Sequence, residues 1–181
     1  MTMWIIGGIL VLLVLYIIIT YNNFVRLKVR VENAWSQIDN QLKRRNDLIP
    51  NLIETVKGYA KHEKELFEQV AQARERSMSG NISEAAEASD ELTKGISKII
   101  AVGEAYPDLK ANTNFEKLQV ELVGTEDKIA FARQFYNDSV QLFNQKTMMF
   151  PTNIIANMLG FTRKDFFEVS DKEKQNVKVK F

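Results

Sequence analysis

The side chains that most often carry out catalysis are scarce in this sequence, which has one histidine and no cysteine. His62 and Glu63 begin the His-Glu-x-x-His pattern of zinc metalloproteases, but Leu66 occupies the position of the second histidine. A tetrahedral zinc site would therefore depend almost wholly on carboxylates, which zinc rarely accepts. We interpret His62 as a surface or interhelical polar residue.

Other catalytic patterns fail for similar reasons. A two-metal carboxylate site in a helical bundle needs a glutamate three residues before each histidine, and that position holds Tyr59. The sequence has no Gly-x-x-x-x-Gly-Lys loop, no dinucleotide fingerprint after a strand, and no Ser/His/Asp set that a single histidine could serve. We expect a protein that is not an enzyme, with no catalytic, cofactor-binding or metal-ligating residues, no cofactor and no small-molecule substrate.

Two polar groups remain to be explained. One follows a single helical face at spacings of seven, four and seven residues: Glu126, Arg133, Asn137 and Asn144. The other is a basic cluster with polar neighbours: Lys43, Arg44 and Arg45, with Asp47, Asn51 and Glu54 nearby. Interhelical hydrogen bonds and charges at helix ends explain both groups, and a docking patch for another protein is the alternative. Nucleic acid is disfavoured, because aromatic residues do not alternate with the basic ones and the net charge is only +1.

The element before these groups is apolar. The seventeen residues from Met3 to Ile19 carry no charge, and the first charged residue is Arg26. As a helix they would rise about 25 Å, close to the roughly 30 Å of a bilayer core. Trp4 and Tyr21 would then lie at the two interfaces. A cleaved signal peptide is the alternative, but the basic start, short apolar core and small-residue cleavage site that it needs are absent.

The positive charges near this anchor predict its orientation. None precedes the span, and Arg26, Lys28 and Arg30 follow it. Because basic residues resist translocation, we expect a single-pass protein of the cell's inner membrane, with the N-terminus outside and residues 22–181 in the cytoplasm.

The remaining residues, about 160, suit one domain of long helices. Apolar positions at alternating spacings of three and four begin at Phe24 and predict a first helix, continuous with the anchor, that ends near Arg45. Asp47 is the expected N-cap of a second helix, with Pro50 in its first turn. One long helix kinked at Pro50 is the alternative. The second helix should run to Ser77.

The later helices have clearer limits. Gly80-Asn81 should break the chain, a third helix should run from Ser83 to the Tyr106-Pro107 turn, and Thr113 with Glu116 resembles a capping box that opens a fourth. We therefore predict an all-α protein, with an N-terminal transmembrane helix and an antiparallel four-helix bundle. The expected domains are an anchor at 1–21, a bundle at 22–149, and a short helix with a tail at 150–181. Near-heptad spacing in the first two segments leaves self-association open.

The C-terminal part changes character. Pro151 to Leu159 could form a short helix capped by Gly160, and three aromatic residues follow: Phe161, Phe166 and Phe167. We expect these rings to pack on the bundle, and docking on the bilayer or on a partner is the alternative. Residues 177–181 alternate with period two, which fits a terminal strand less well than a frayed tail.

Several blocks together resemble the LemA family. They are residues 34–39 (Ala-Trp-Ser-Gln-Ile-Asp), 41–45, 47–52, 54–63, 104–112, 124–126, 129–130 with 132–133, 136–137 and 150–156 (Phe-Pro-x-Asn-Ile-Ile-Ala), with 160–161. The resemblance implies one N-terminal anchor followed by a helical bundle, and it supplies no agreed catalytic residues. It also suggests association with membrane metalloproteases of the HtpX type.

These observations favour a membrane-anchored, non-catalytic helical scaffold that binds a membrane partner. The competing hypothesis is a lipid-binding or membrane-shaping protein. Its candidate contact is the apolar segment from Ile154 to Phe161, which has Arg163 and Lys164 close by.

Overall fold

A computed structural model describes residues 1–60, 62–78 and 82–168. These residues form helices and connecting turns without a strand, which confirms the all-α class. In chain order the helices are α1 (Thr2–Lys57), α2 (Lys64–Arg76), α3 (Ile82–Ala105), α4 (Pro107–Lys110), α5 (Thr113–Met148) and α6 (Thr152–Met158). The predicted break at Gly80-Asn81 and the alternating segment 177–181 lie outside the described residues.

The apolar N-terminal segment belongs to a helix of 56 residues. An 18-residue window of α1 has a mean hydropathy of 2.7 and none of it is buried, so α1 is long and apolar enough to cross a membrane. The expected continuity between the anchor and the first helix is confirmed.

The predicted end of this helix near Arg45 is wrong, and so is the N-cap at Asp47. α1 continues through Pro50 to Lys57, as in the alternative of one long helix. Proline has no N–H, so Pro50 leaves the carbonyl of Asn46 without its helical donor. The Nε of Arg74 in α2 donates to that oxygen at 2.8 Å, which replaces the missing hydrogen bond.

The second predicted helix is also divided. α1 ends at Lys57 and α2 begins at Lys64, so no helix spans the whole stretch from Pro50 to Ser77. Gly58 lies at the break, where the N–H groups of Tyr59 and Ala60 both donate to the carbonyl of Val56. Glycine is unfavourable inside a helix, which is consistent with the end of α1 next to Gly58. Ala60 is fully buried, so the turn packs against the core.

The start of α5 has a different cap from the predicted one. The side-chain oxygen of Asn112 accepts hydrogen bonds from the N–H groups of Asn114 at 2.9 Å and Phe115 at 3.4 Å. Asn112 is therefore the N-cap, one residue before Thr113, and the predicted capping box does not form the cap. The predicted turn at Pro107 contains the single helical turn α4, with proline at its first position.

The chain divides into two compact units. The first unit is residues 1–36 with 135–165, and the second is residues 37–134 with the described residues 166–168. The core of the second unit joins α1 to α2, α3, α4 and α5 and includes Ile49, Leu52, Val56, Val70, Leu92, Ile96, Ile99, Leu109, Phe115 and Leu122. The predicted domain boundaries at 21 and 149 remain a prediction.

Two of the three C-terminal aromatic side chains, Phe161 and Phe167, pack against other residues of their own unit. Gly160 follows α6 with φ +73°, a left-handed conformation that favours glycine, as the predicted cap requires. In the first unit the Phe161 ring stacks on Phe24, with centroids 4.8 Å apart. In the second unit Phe167 is fully buried, whereas Phe166 remains partly exposed.

Candidate functional site

The three basic residues at 43–45 differ sharply in environment. Lys43 and Arg44 are exposed on α1, whereas Arg45 is 0% exposed. Leu42 and Ile49 lie one turn before and after Arg45 on the buried face, so the helical period turns Arg45 into the core. A buried charge of this kind must be paired and hydrogen-bonded to be tolerated.

The partners of Arg45 come from two other helices. Its Nη1 donates to Glu126 Oε1 of α5 at 3.2 Å and to the Ser89 carbonyl of α3 at 3.3 Å. Its Nη2 donates to Ser89 Oγ at 3.1 Å. The Thr93 hydroxyl donates to the other carboxylate oxygen of Glu126 at 2.7 Å. The group therefore connects α1, α3 and α5 through one guanidinium.

Electrostatics at this site are dominated by burial. Desolvation lowers the pKa of Arg45 below its usual range, and the charge of Glu126 and its hydrogen bond oppose that shift. Arginine nevertheless stays protonated in proteins, so the pair is ionic. Its geometry suits holding helices together rather than moving a proton.

A second ion pair lies in the same unit. Arg133 Nη1 of α5 donates to Asp90 Oδ1 of α3 at 2.6 Å. The guanidinium carbon of Arg133 also lies 5.2 Å from the centroid of the Phe167 ring, a cation–π contact. The side chains of Arg133 and Asp90 are both partly exposed.

The polar face predicted on α5 is thus used within the chain. Glu126 and Arg133 contact α1 and α3, and Asn144 in the first unit exchanges two hydrogen bonds of 2.8 Å with the backbone of Lys164. Asn137 also has an interaction partner. These contacts support the interpretation as intramolecular hydrogen bonding over a docking patch.

Two polar atoms in this region differ from the rest. Arg45 Nε and Gln41 Oε1 are buried and have no hydrogen-bond partner within the described part of the chain. They lie one helical turn apart on α1, and one is a donor and the other an acceptor.

His62 is exposed, and the described ranges contain no group of three His, Cys, Asp or Glu residues that could hold a metal ion.

The outer side of α5 carries a feature that was not predicted from the sequence. Three apolar side chains of the second unit are largely exposed there: Val120 at 67%, Val123 at 53% and Phe131 at 73%. We call them the α5 apolar surface. A methyl group added at Gly124 would meet nothing within 4 Å, so the backbone beside them is open. These positions fall outside the buried stripe formed by Phe115, Leu122 and Ile129, which the sequence shows, but that alone does not mark them as a binding surface.

Several exposed apolar side chains along one face of a helix are more informative than a single one, and here the exposed Asp127 lies between Val123 and Phe131. Scattered apolar residues are normal on protein surfaces, whereas a group on one helix face is typical of a contact with another molecule. Phenylalanine in particular buries a large area when it enters a partner's pocket. The α5 apolar surface is therefore the candidate binding site of the second unit.

The chain is similar to curated proteins from several bacteria. It is 24% identical over 179 residues to "Magnetosome protein MamQ 2" of Paramagnetospirillum magneticum, covering 84% of this chain and 66% of that protein. It is 24% identical over 185 residues to "Magnetosome protein MamQ" of Magnetospirillum gryphiswaldense, covering 87% and 68%. It is 29% identical over 160 residues to "Protein LemA" of Metamycoplasma hominis, covering 86% and 72%.

The chain thus spans 66% of the length of the relative from Paramagnetospirillum magneticum, slightly under two thirds, and 68% of the length of the relative from Magnetospirillum gryphiswaldense. The model of the LemA family matches residues 34–181, which is most of the chain and contains the ion pairs and the α5 apolar surface described above. On this match, the chain belongs to the LemA family.

Proposed function

We propose that this protein is a membrane-anchored, non-catalytic helical scaffold that binds a membrane protein. The observation that carries the proposal is a contrast within the second unit. The ion pairs Arg45–Glu126 and Arg133–Asp90 join charged side chains of different helices to each other. The apolar side chains of Val120, Val123 and Phe131, by contrast, are exposed. A surface of this kind supports binding rather than catalysis.

The anchor supports a membrane location for the scaffold. The apolar run of α1, Met3 to Ile19, has the length and hydropathy of a membrane span, and the basic residues Arg26, Lys28 and Arg30 follow this run within the same helix. We propose an inner-membrane protein with its N-terminus outside and residues 22–181 in the cytoplasm.

The resemblance to LemA proteins suggests the kind of partner. An HtpX-type metalloprotease in membrane protein quality control is the proposed partner, and self-association through the α5 apolar surface is the second candidate. In both cases Phe131 would be the central anchor, because aromatic side chains dominate the energy of many interfaces.

The test is partner capture from intact membranes with a matched pair of variants. Phe131→Asp places a charge at the phenylalanine of the α5 apolar surface, whereas Ala130→Asp places the same charge about 100° round the helix from Phe131, on the side of Val123. Mild cross-linking, detergent solubilisation and mass spectrometry identify the partners. We expect Phe131→Asp to weaken binding at least about 30-fold, the effect of losing roughly 2 kcal/mol, and Ala130→Asp to weaken it little.

Circular dichroism of both variants should show the same melting transition, since Phe131 is exposed. The scaffold proposal fails if the unchanged protein co-purifies with no membrane protein and runs as a monomer. It also fails if Phe131→Asp and Ala130→Asp retain every partner equally.

A further inference from the structure

In the first unit, α5 packs antiparallel to α1, and three contacts give the register. The rings of Tyr136 and Trp35 are 5.7 Å apart between centroids, and Arg30 Nε donates to Ser139 Oγ at 3.3 Å. The last contact in this series is an edge-to-face pair in which the centroids of Phe143 and Phe24 lie 6.1 Å apart. Residue numbers therefore fall along α1 as they rise along α5.

This register carries the end of α5 past the polar boundary of the anchor. α5 continues five residues beyond Phe143 to Met148, a rise of about 7 Å. The equivalent distance along α1, measured from Phe24 toward the N-terminus, ends at Ile19, the last residue of the apolar run. The turn after α5 therefore lies beside a segment that is expected in lipid.

Burial along α1 shows the same overlap independently. Most of the apolar run is exposed, but Thr20 is only 4% exposed and Ile17 is half-buried. The Phe161 ring, which follows α6, lies 6.2 Å from the Tyr21 ring and stacks on Phe24. The segment from the end of α5 through α6 thus covers one side of the anchor at the level of the membrane interface.

The same segment has large apolar side chains that are exposed. Of six such side chains, four are more than half exposed: Met149 at 59%, Phe150 at 80%, Ile154 at 52% and Met158 at 75%. Ile154 and Met158 are four residues apart and share one face of α6, whereas Ile155 and Ala156 are buried. Residues 146–161 form what we call the α5–α6 corner.

The charge of the first unit complements lipid headgroups. Its sequence contains six Lys and Arg residues against three Asp and Glu, in a chain whose net charge is only +1. Arg163 and Lys164 are exposed immediately after the α5–α6 corner, and Arg26 is exposed just beyond the anchor. Apolar side chains flanked by bases are typical of segments that lie in the membrane interface.

We propose that the α5–α6 corner is a second membrane contact, in which Met149, Phe150, Ile154 and Met158 enter the interfacial layer of the bilayer. Arg163 and Lys164 pair with lipid phosphate groups at its edge. The occupant is lipid because the corner is continuous with the anchor, and the contact does not depend on the protein partner proposed above. Two contacts instead of one fix the rotation of α1 in the membrane.

The test uses the absence of cysteine, which makes single-cysteine labelling free of background. Phe150→Cys and Met158→Cys carry an environment-sensitive fluorophore in the full chain, reconstituted in nanodiscs. Brominated lipids quench labels in the bilayer, and iodide quenches labels in water. Leu12→Cys reports the anchor's insertion, and Phe131→Cys is the matched control, an exposed phenylalanine in the second unit.

We expect brominated lipid to quench the labels at 150 and 158 several-fold more than the label at 131, and iodide to quench them several-fold less. Water-accessible labels at 150 and 158, with a lipid-quenched label at 12, would overturn the proposal. Labels shielded from both quenchers would overturn it as well, because protein and not lipid would cover the corner. Equal lipid quenching at 131 would contradict a contact confined to the corner.

Discussion

Two neighbouring arginines on α1 show how burial decides what an ion pair contributes. Arg44 pairs with Glu121 of α5 at 3.7 Å, and the side chains of both are about half exposed. Arg45 pairs with Glu126 of the same helix at 3.2 Å, fully buried on the arginine side. Removing one partner of a buried pair leaves an uncompensated charge in the core, whereas an exposed pair is screened by water.

This contrast gives a matched mutational prediction. Glu126→Ala should lower the free energy of unfolding by about 3 to 5 kcal/mol, and Glu121→Ala by less than about 1 kcal/mol. Chemical unfolding of the full chain in detergent, followed by circular dichroism, measures both. Equal losses would show that Arg45 does not rely on Glu126. Arg45→Met in the Glu126→Ala background should recover part of the stability, because it removes the unpaired charge.

At the scale of elements, a single proline creates one of the polar contacts that hold α2, which also packs through its buried apolar side chains. Pro50 frees the carbonyl of Asn46, and Arg74 of α2 uses it. The Asn46 side chain adds a second link, since its Nδ2 donates to Ser77 Oγ at 3.1 Å. Asn46 is nearly fully buried, so its carbonyl would be costly to leave unpaired.

We therefore expect the effect of Arg74 to depend on Pro50. Arg74→Met should lower the free energy of unfolding by about 1 to 3 kcal/mol when residue 50 is proline. With Pro50→Ala, the restored N–H can donate to Asn46 within the helix, so the same change at Arg74 should cost less than about 1 kcal/mol. Thermal unfolding of the four proteins forms a double-mutant cycle. Additive effects would mean that Arg74 does not replace the missing donor.

The same elements show what could be predicted from the sequence. Periodicity places Phe24, Val31 and Ile49 correctly on the buried face of α1, because burial of apolar side chains at helical spacing is a local pattern. Local sequence could not show that α1 passes through Pro50, since the compensating donor is Arg74, 24 residues later. It could not single out Arg45 from its basic neighbours either, because the partner Glu126 is 81 residues away.

The candidate binding surface was missed for a different reason. Val120, Val123 and Phe131 fall outside the inner stripe of α5, and exposed apolar residues are too common for a helical pattern to mark them as functional. The three-dimensional structure identifies them because it shows the charged candidates to be occupied between helices. Because the polar side chains of α5 are paired within the chain, its exposed apolar side chains are the better candidates for contact with another molecule.

At the scale of the whole molecule, charge is distributed unevenly along the chain. The apolar part of α1 has no charged residue, and the basic residues Arg26, Lys28 and Arg30 follow it with only Glu32 close behind. In the proposed orientation these bases stay in the cytoplasm beside anionic headgroups, which favours them by about 1 kcal/mol each near the surface. The whole domain after the anchor is then cytoplasmic.

Single-cysteine labelling of intact cells tests this orientation. A membrane-impermeant maleimide should label Thr2→Cys and should leave Glu68→Cys, an exposed position on α2, unlabelled until the cells are opened. Replacing Arg26, Lys28 and Arg30 with asparagine, and adding three lysines before Thr2, should reverse the pattern, because flanking bases set the direction of insertion. Labelling of Glu68→Cys in intact cells carrying the otherwise unchanged chain would place the domain outside and exclude a cytoplasmic partner for Phe131.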